Sequence, residues 1–114
     1  MSAQKRRTRT WPPAKRQLEV LIAEALVDAY GESEQRTAIF TMIEENLALP
    51  FETEIIGVRV TVESVDLSRA EEIIAICRRG AKRQAISILD LPLPNPPPAG
   101  AEWIEAYRLW AGVQ

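Results

Sequence analysis

The spacing of the hydrophobic residues changes at Pro50, and this change limits most strongly the folds open to the chain. Before Pro50, apolar residues from Leu18 to Tyr30 recur at helical spacing and predict an amphipathic helix over about residues 14–30. A second helix is predicted over about 33–47, with Ser33 as its N-cap. Because only Gly31 and its neighbours separate them, the two helices are expected to form an antiparallel hairpin.

After Pro50 the apolar residues alternate with polar ones, which is typical of strands. Val58, Val60 and Val62 show this period of two, and Gly57 before them indicates either one bulged strand or two short strands. Further apolar or alternating segments lie at 73–77 and 84–89, on either side of the Gly80 turn. These short strands and tight turns predict a small antiparallel barrel or a curled sheet.

The C-terminal part predicts a strap and a last helix. Five of the eight prolines lie between Leu91 and Pro98, so this segment is expected to be extended and to pack over the core. Trp103, Tyr107 and Trp110 share one helical face and are expected to pack inward. A chain of 114 residues has room for one core, so we predict a single α+β domain. Its parts are a disordered basic arm (1–13), a helical hairpin (14–49), a small β-barrel (51–90), a proline-rich strap (91–100) and a helix (101–112).

The net charge of −2 hides an uneven distribution of charge. The first sixteen residues hold six basic side chains and no acid, whereas residues 17–114 hold eight basic and sixteen acidic ones. A basic arm containing an aromatic residue is suited to phosphates and bases. One hypothesis is therefore a protein or nucleic acid partner bound through residues 1–16, with a further anion contact at the Gly80 turn. The candidate contact residues are Arg6, Arg7, Arg9, Trp11, Arg79 and Lys82.

Several chemistries are disfavoured by the composition. The chain has no histidine, which excludes Ser-His and Cys-His catalysis and histidine-containing zinc sites. The single Cys77 cannot form an internal disulfide, and such cysteine content is typical of proteins in a reducing compartment. There is no clustered glycine loop for phosphates, no apolar leader and no apolar run long enough for a membrane span. We therefore predict a cytoplasmic protein that is not an enzyme, with no particular oligomeric state indicated.

Acidic residues gather at two turns of the chain. Asp28, Glu32 and Glu34 surround the predicted turn between the first two helices. A weaker group, Glu44, Glu45 and Glu52, brackets the turn into the first strand. Carboxylates and free carbonyls at a helix end are oxygen ligands of the kind that Ca²⁺ takes, although neither group has the spacing of an EF-hand loop.

The span Val27-Asp28-Ala29-Tyr30-Gly31-Glu32-Ser33-Glu34-Gln35, followed by Glu44-Glu45-Asn46-Leu47 and Leu49-Pro50-Phe51, resembles the small cyanobacterial-type calcium-binding protein family. The resemblance implies a small acidic bacterial protein that binds Ca²⁺ without an EF-hand, as an intracellular buffer or sensor. It also implies helices packed on an SH3-like barrel. Asp28, Glu34 and Glu44 fall on acidic positions of the family motifs.

The sequence therefore supports two hypotheses. In the first, the protein binds Ca²⁺ through Asp28, Glu32 and Glu34, with Glu44, Glu45 and Glu52 as a second group. In the alternative, it is a metal-free SH3-like interaction module that binds a protein or nucleic acid through its basic arm.

Overall fold

The computed structural model describes residues 11–112, so the predicted contacts Arg6, Arg7 and Arg9 and most of the predicted disordered arm lie outside the described residues. The described part is a mixed α+β fold, as the change of hydrophobic period predicted. Its elements, in chain order, are α1 (Lys15–Ala25), α2 (Glu32–Asn46), β1 (Phe51–Ile55), β2 (Val58–Leu67), β3 (Ile73–Arg79), β4 (Lys82–Ser87) and α3 (Glu102–Trp110).

The four strands form one antiparallel sheet in the order β1-β2-β3-β4. Two-residue turns join its outer hairpins: Ile56 and Gly57 have φ values of 49° and 73°, and Gly80 has a φ of 60°. Glycine relieves the steric cost of such left-handed backbone, which explains its place at both turns. The register between β2 and β3 shifts between Val62 and Ser64, which places a β-bulge at Glu63.

The sheet is open, so the predicted SH3-like barrel is not confirmed. Closure would require the first and last strands to pair, whereas β1 and β4 are the two edges of the sheet. Beside β1 lies the proline-rich segment instead: the Thr53 hydroxyl donates a hydrogen bond to the Pro92 carbonyl at 2.7 Å. Proline has no backbone N–H to donate, so this segment cannot continue the ladder as a strand would.

The predicted helical hairpin is also not confirmed. The first helix ends at Ala25 rather than Tyr30, and residues 26–31 form a longer connection than a single glycine turn. Gly31 begins α2 as its N-cap, in place of Ser33, and does not end α1. The C-terminal α3 packs against both earlier helices, and α1 contacts α3 more extensively than it contacts α2. The three helices therefore form one layer, in which α3 contacts both α1 and α2.

One hydrophobic core lies between this helical layer and one face of the sheet. Ile39 and Ile43 of α2, Val62 of β2, Ile73 of β3 and Ile104 of α3 are completely buried. The alternation along β3 is explained by this packing, because every second residue of the strand points to the core. Of the helices described over residues 11–112, none has the length and apolar character needed to cross a membrane.

The segment between β4 and α3 is tied to the rest of the fold at both ends. Near its start, the Arg108 guanidinium donates hydrogen bonds to the carbonyls of Ile88 and Leu91. At its end, the Ala48 N–H donates to the Ala99 carbonyl at 2.8 Å, and Gly100 lies directly against Asn46. These contacts hold Leu91, which is 1% exposed, over the core.

Candidate functional site

The three acidic residues of the predicted calcium turn line one open depression, but among residues 11–112 their carboxylates form no group that could hold a metal ion, and two of them have structural partners. Glu34 accepts a hydrogen bond from the Tyr30 N–H through Oε1 at 2.6 Å, which satisfies a donor just before α2. Glu32 pairs with Arg36 one turn along the helix, at 3.0 Å. Asp28 is exposed in the connection that follows α1. The contacts of Glu32 and Glu34 therefore stabilise the start of α2 rather than form a shared ligand site.

The second acidic group is equally dispersed. Glu44 and Glu45 are exposed near the end of α2, and Glu52 pairs with Arg59 across the β1–β2 hairpin at 2.7 Å. Among residues 11–112, no three Asp, Glu or Cys side chains converge where a metal ion could be held. Because Ca²⁺ needs six to eight oxygens at 2.3–2.6 Å, neither group fits a calcium centre as arranged. Calcium binding stays a prediction.

Glu63 on the β-bulge is the centre of an ion-pair cluster that sequence reasoning missed. Its Oε2 lies 2.5 Å from Arg78 Nε on β3, and its Oε1 lies 2.8 Å from Arg83 Nε on β4. Hydrogen bonds from Arg83, and then from Arg78, lower the pKa of the Glu63 carboxyl below its usual value. The available signal was the turn at Gly80: a two-residue turn there places Arg78 opposite Arg83, and like charges in that position are destabilising without a counter-charge.

The β3–β4 hairpin exposes the two cations that Glu63 does not neutralise. Arg79 and Lys82 flank the Gly80-Ala81 turn, and both are exposed. Within the described part of the chain, neither takes part in an ion pair, whereas Arg78 and Arg83 do. The hairpin therefore carries two paired arginines and, at its tip, the two predicted contacts Arg79 and Lys82, which form no ion pair with any residue of 11–112.

The β4 strand is an open edge of the sheet. In the ladder with β3, the pair Arg79 and Lys82 closes a two-residue turn and is a hydrogen-bonded pair. Hydrogen-bonded pairs recur at every second residue, so Gln84, Ile86 and Ile88 should also bond to β3. The Ile88 N–H does donate to the Ile73 carbonyl, at 2.9 Å. The backbone groups of Arg83 and Ala85 therefore point away from β3.

The face of the sheet opposite the helices carries aliphatic side chains. Ile74 and Ile76 of β3 are half-buried and lie outside the core, with Ala85 beside Ile76 across the ladder. No aromatic side chain is present on this face of the described strands. The face thus lacks the stacking platforms that single-stranded nucleic acid sites use.

The aromatic residues at the end of the chain serve packing. Trp103 and Tyr107 are buried, and Tyr107 stacks on Trp110 at a centroid distance of 5.8 Å. The Arg36 guanidinium lies 5.3 Å from the Trp110 ring centroid. Trp11, a predicted partner contact, is 41% exposed at the start of the described part.

Cys77 is 4% exposed, and its burial raises the pKa of the thiol, so the reactive thiolate is disfavoured. The depression at the α1–α2 connection is open to solvent and is lined by Val27 and Tyr30 together with Asp28, Glu32 and Glu34. Comparison of the chain with protein-family models, curated proteins and solved structures finds no match.

Proposed function

We propose that the protein is a metal-free interaction module, without enzymatic activity, that binds a partner protein at its cationic β3–β4 hairpin. The observation that carries the proposal is the exposure of Arg79 and Lys82, free of ion pairs among the described residues, at one end of the open β4 edge. A free cation next to unpaired backbone donors and acceptors offers both charge and directional hydrogen bonds to an anionic polypeptide.

A protein partner is favoured over a nucleic acid by the charges around the hairpin. The whole chain holds fourteen basic and sixteen acidic side chains, a net charge of −2, and thus lacks the strongly positive balance that is typical of nucleic-acid-binding domains. Glu63 neutralises part of the local positive charge through Arg78 and Arg83. Since nucleic acid affinity grows with the number of phosphates neutralised, two free cations at the tip supply little of it.

The first test compares two charge-reversed variants of the full chain. R79E/K82E changes the hairpin tip, and K15E/R16E makes the same charge change at the exposed start of α1, within the basic first sixteen residues. Binding of fluorescent poly-glutamate and of a single-stranded DNA of equal charge is followed by anisotropy at about 50 and 150 mM salt.

We expect R79E/K82E to abolish poly-glutamate binding and K15E/R16E to leave most of it. Loss of binding in K15E/R16E alone would instead place the contact in residues 1–16. DNA bound more tightly than poly-glutamate by the wild-type chain would contradict a protein partner. Unfolding midpoints of both variants, measured in urea, verify that the fold is retained.

A further inference from the structure

The two edges of the sheet differ in their access and in their charge. On β1, Glu52 and Glu54 occupy the outward-facing positions, and the proline-rich segment lies alongside, held by the hydrogen bond from Thr53 to Pro92. On β4, every residue from Lys82 to Ala85 is exposed, and the side chains nearest the turn are basic. Within the described part of the chain, β4 is thus the accessible edge.

The outward backbone groups of β4 are available for pairing. Arg83 and Ala85 each direct an N–H and a carbonyl away from β3, and no hydrogen bond to another described residue uses these four groups. An edge of this kind is a template for one more strand, and many proteins capture extended peptides in this way.

The side chains along β4 specify the chemistry of such a strand. At the turn end, Arg79 and Lys82 face each other across the ladder and present positive charge on one face of the sheet, while Arg83, which pairs with Glu63, lies on the other face. Toward the other end, Ala85 and Ile86 are uncharged, and Ile76 lies next to Ala85 across the ladder. The edge therefore changes from cationic to aliphatic along its length.

From this arrangement we propose that β4 binds an extended segment of a partner protein as a fifth strand, with carboxylates at the end near the Gly80 turn and β-branched residues beside Ala85. The proposal rests on the proposed function and specifies the class of partner. Charge complementarity selects an acidic block, and alternating β-branched residues suit the pleated, half-buried end of the strand.

The test uses fluorescein-labelled peptides of about eight residues, a typical strand length. One carries three Glu followed by alternating Val and Thr, and a second has the reverse order, so that parallel and antiparallel additions are both sampled. Control peptides have Lys in place of Glu. The full-length protein is compared with A85P, which removes an outward N–H that the β3 ladder does not use, and with A85T, which keeps it.

We expect one of the two acidic peptides to bind and the Lys peptides not to bind. A85P should weaken binding by at least about tenfold, because it removes one backbone hydrogen bond and its ring pushes the peptide away from the edge. A85T should change the affinity by no more than about twofold. In amide exchange of the wild-type protein, Arg83 and Ala85 should exchange quickly when free and become protected when the peptide saturates. Gln84 and Ile86, which pair with β3, should be protected in both states. This measurement needs no variant, so it stands even if A85P unfolds.

Other outcomes separate this inference from the function on which it rests. Peptide binding that survives A85P without protection at Arg83 and Ala85, but is lost in R79E/K82E, would overturn strand addition and leave the interaction module. No acidic peptide or poly-glutamate binding would overturn both. A wild-type dimer in light scattering that A85P converts to a monomer would place a second copy on β4 and overturn the partner assigned here.

Discussion

At the scale of single residues, Glu63 shows how one side chain stabilises three strands. The bulge in β2 aims its carboxylate along the outer face, where it meets Arg78 and Arg83, which would otherwise oppose each other across the β3–β4 ladder. The two guanidiniums lower the pKa of Glu63, so the ionised form is favoured by the folded state. The stability that this cluster gives to the sheet therefore depends on pH.

The Glu63 cluster predicts a stability difference that depends on pH. Because the folded pKa lies below the unfolded value of about 4.5, the contribution is fully present above that pH and is lost as the pH falls through the folded pKa. We expect E63Q to lower the urea midpoint of unfolding at pH 7 and to lower it much less at pH 3. E52Q is the matched control, since Glu52 has one exposed arginine partner, and it should show a small effect at both pH values. An E63Q effect of equal size at both pH values would contradict an ionic role.

At the scale of elements, the strap and α3 decide how the helices are arranged. The helical face of Trp103 and Tyr107 was readable from spacing, and the structure buries it as expected. The spacing did not show that α3 contacts α1 more extensively than α2 contacts α1. The start of α3 is also fixed against the end of α2, because Gly100 closely approaches Asn46.

Gly100 provides a test of that approach. A Cβ at this position would lie 2.1 Å from the Asn46 carbonyl oxygen, and the φ of 88° is unfavourable for any residue with a side chain. We expect G100A to reduce the free energy of unfolding by at least about 2 kcal/mol, because both a clash and backbone strain are added. G57A is the control: its φ is 73°, but no atom lies within 4 Å of the added Cβ. It should cost about 1 kcal/mol, as strain alone. Equal losses in urea denaturation would show that the contact with Asn46 is not tight.

At the scale of the whole molecule, the fold forms its core from apolar packing, and the described residues converge on no metal centre. The end of the connection between α1 and α2 is held by the hydrogen bond from the Tyr30 N–H to Glu34, and Glu32 pairs with Arg36 within α2. The stability of the domain should therefore be independent of divalent cations.

Thermal unfolding in Ca²⁺ and in chelator measures this independence. A ligand present at 100 times its Kd stabilises a folded protein by about 2.7 kcal/mol, which would appear as a rise in Tm of several degrees. We expect the same Tm in both solutions, and no saturable heat in a calorimetric titration with Ca²⁺. A rise in Tm that D28N abolishes would reinstate the calcium hypothesis and place the site at the α1–α2 connection.

The sequence alone was sufficient for the mixed α+β class, the position of the Gly80 turn and the inward face of the last helix, whereas at Gly57 it left open a bulged strand or two short strands. These features follow from local periodicity and from backbone conformations that only certain residues adopt readily. The tertiary structure decided the open edges of the sheet and the pairing of Glu63 with two arginines. It also decided that, among the described residues, Asp28, Glu32 and Glu34 form no group that could hold a metal ion. Each of these depends on which residues distant in sequence become neighbours, and a pattern of spacing along the chain does not encode the register and packing that bring them together.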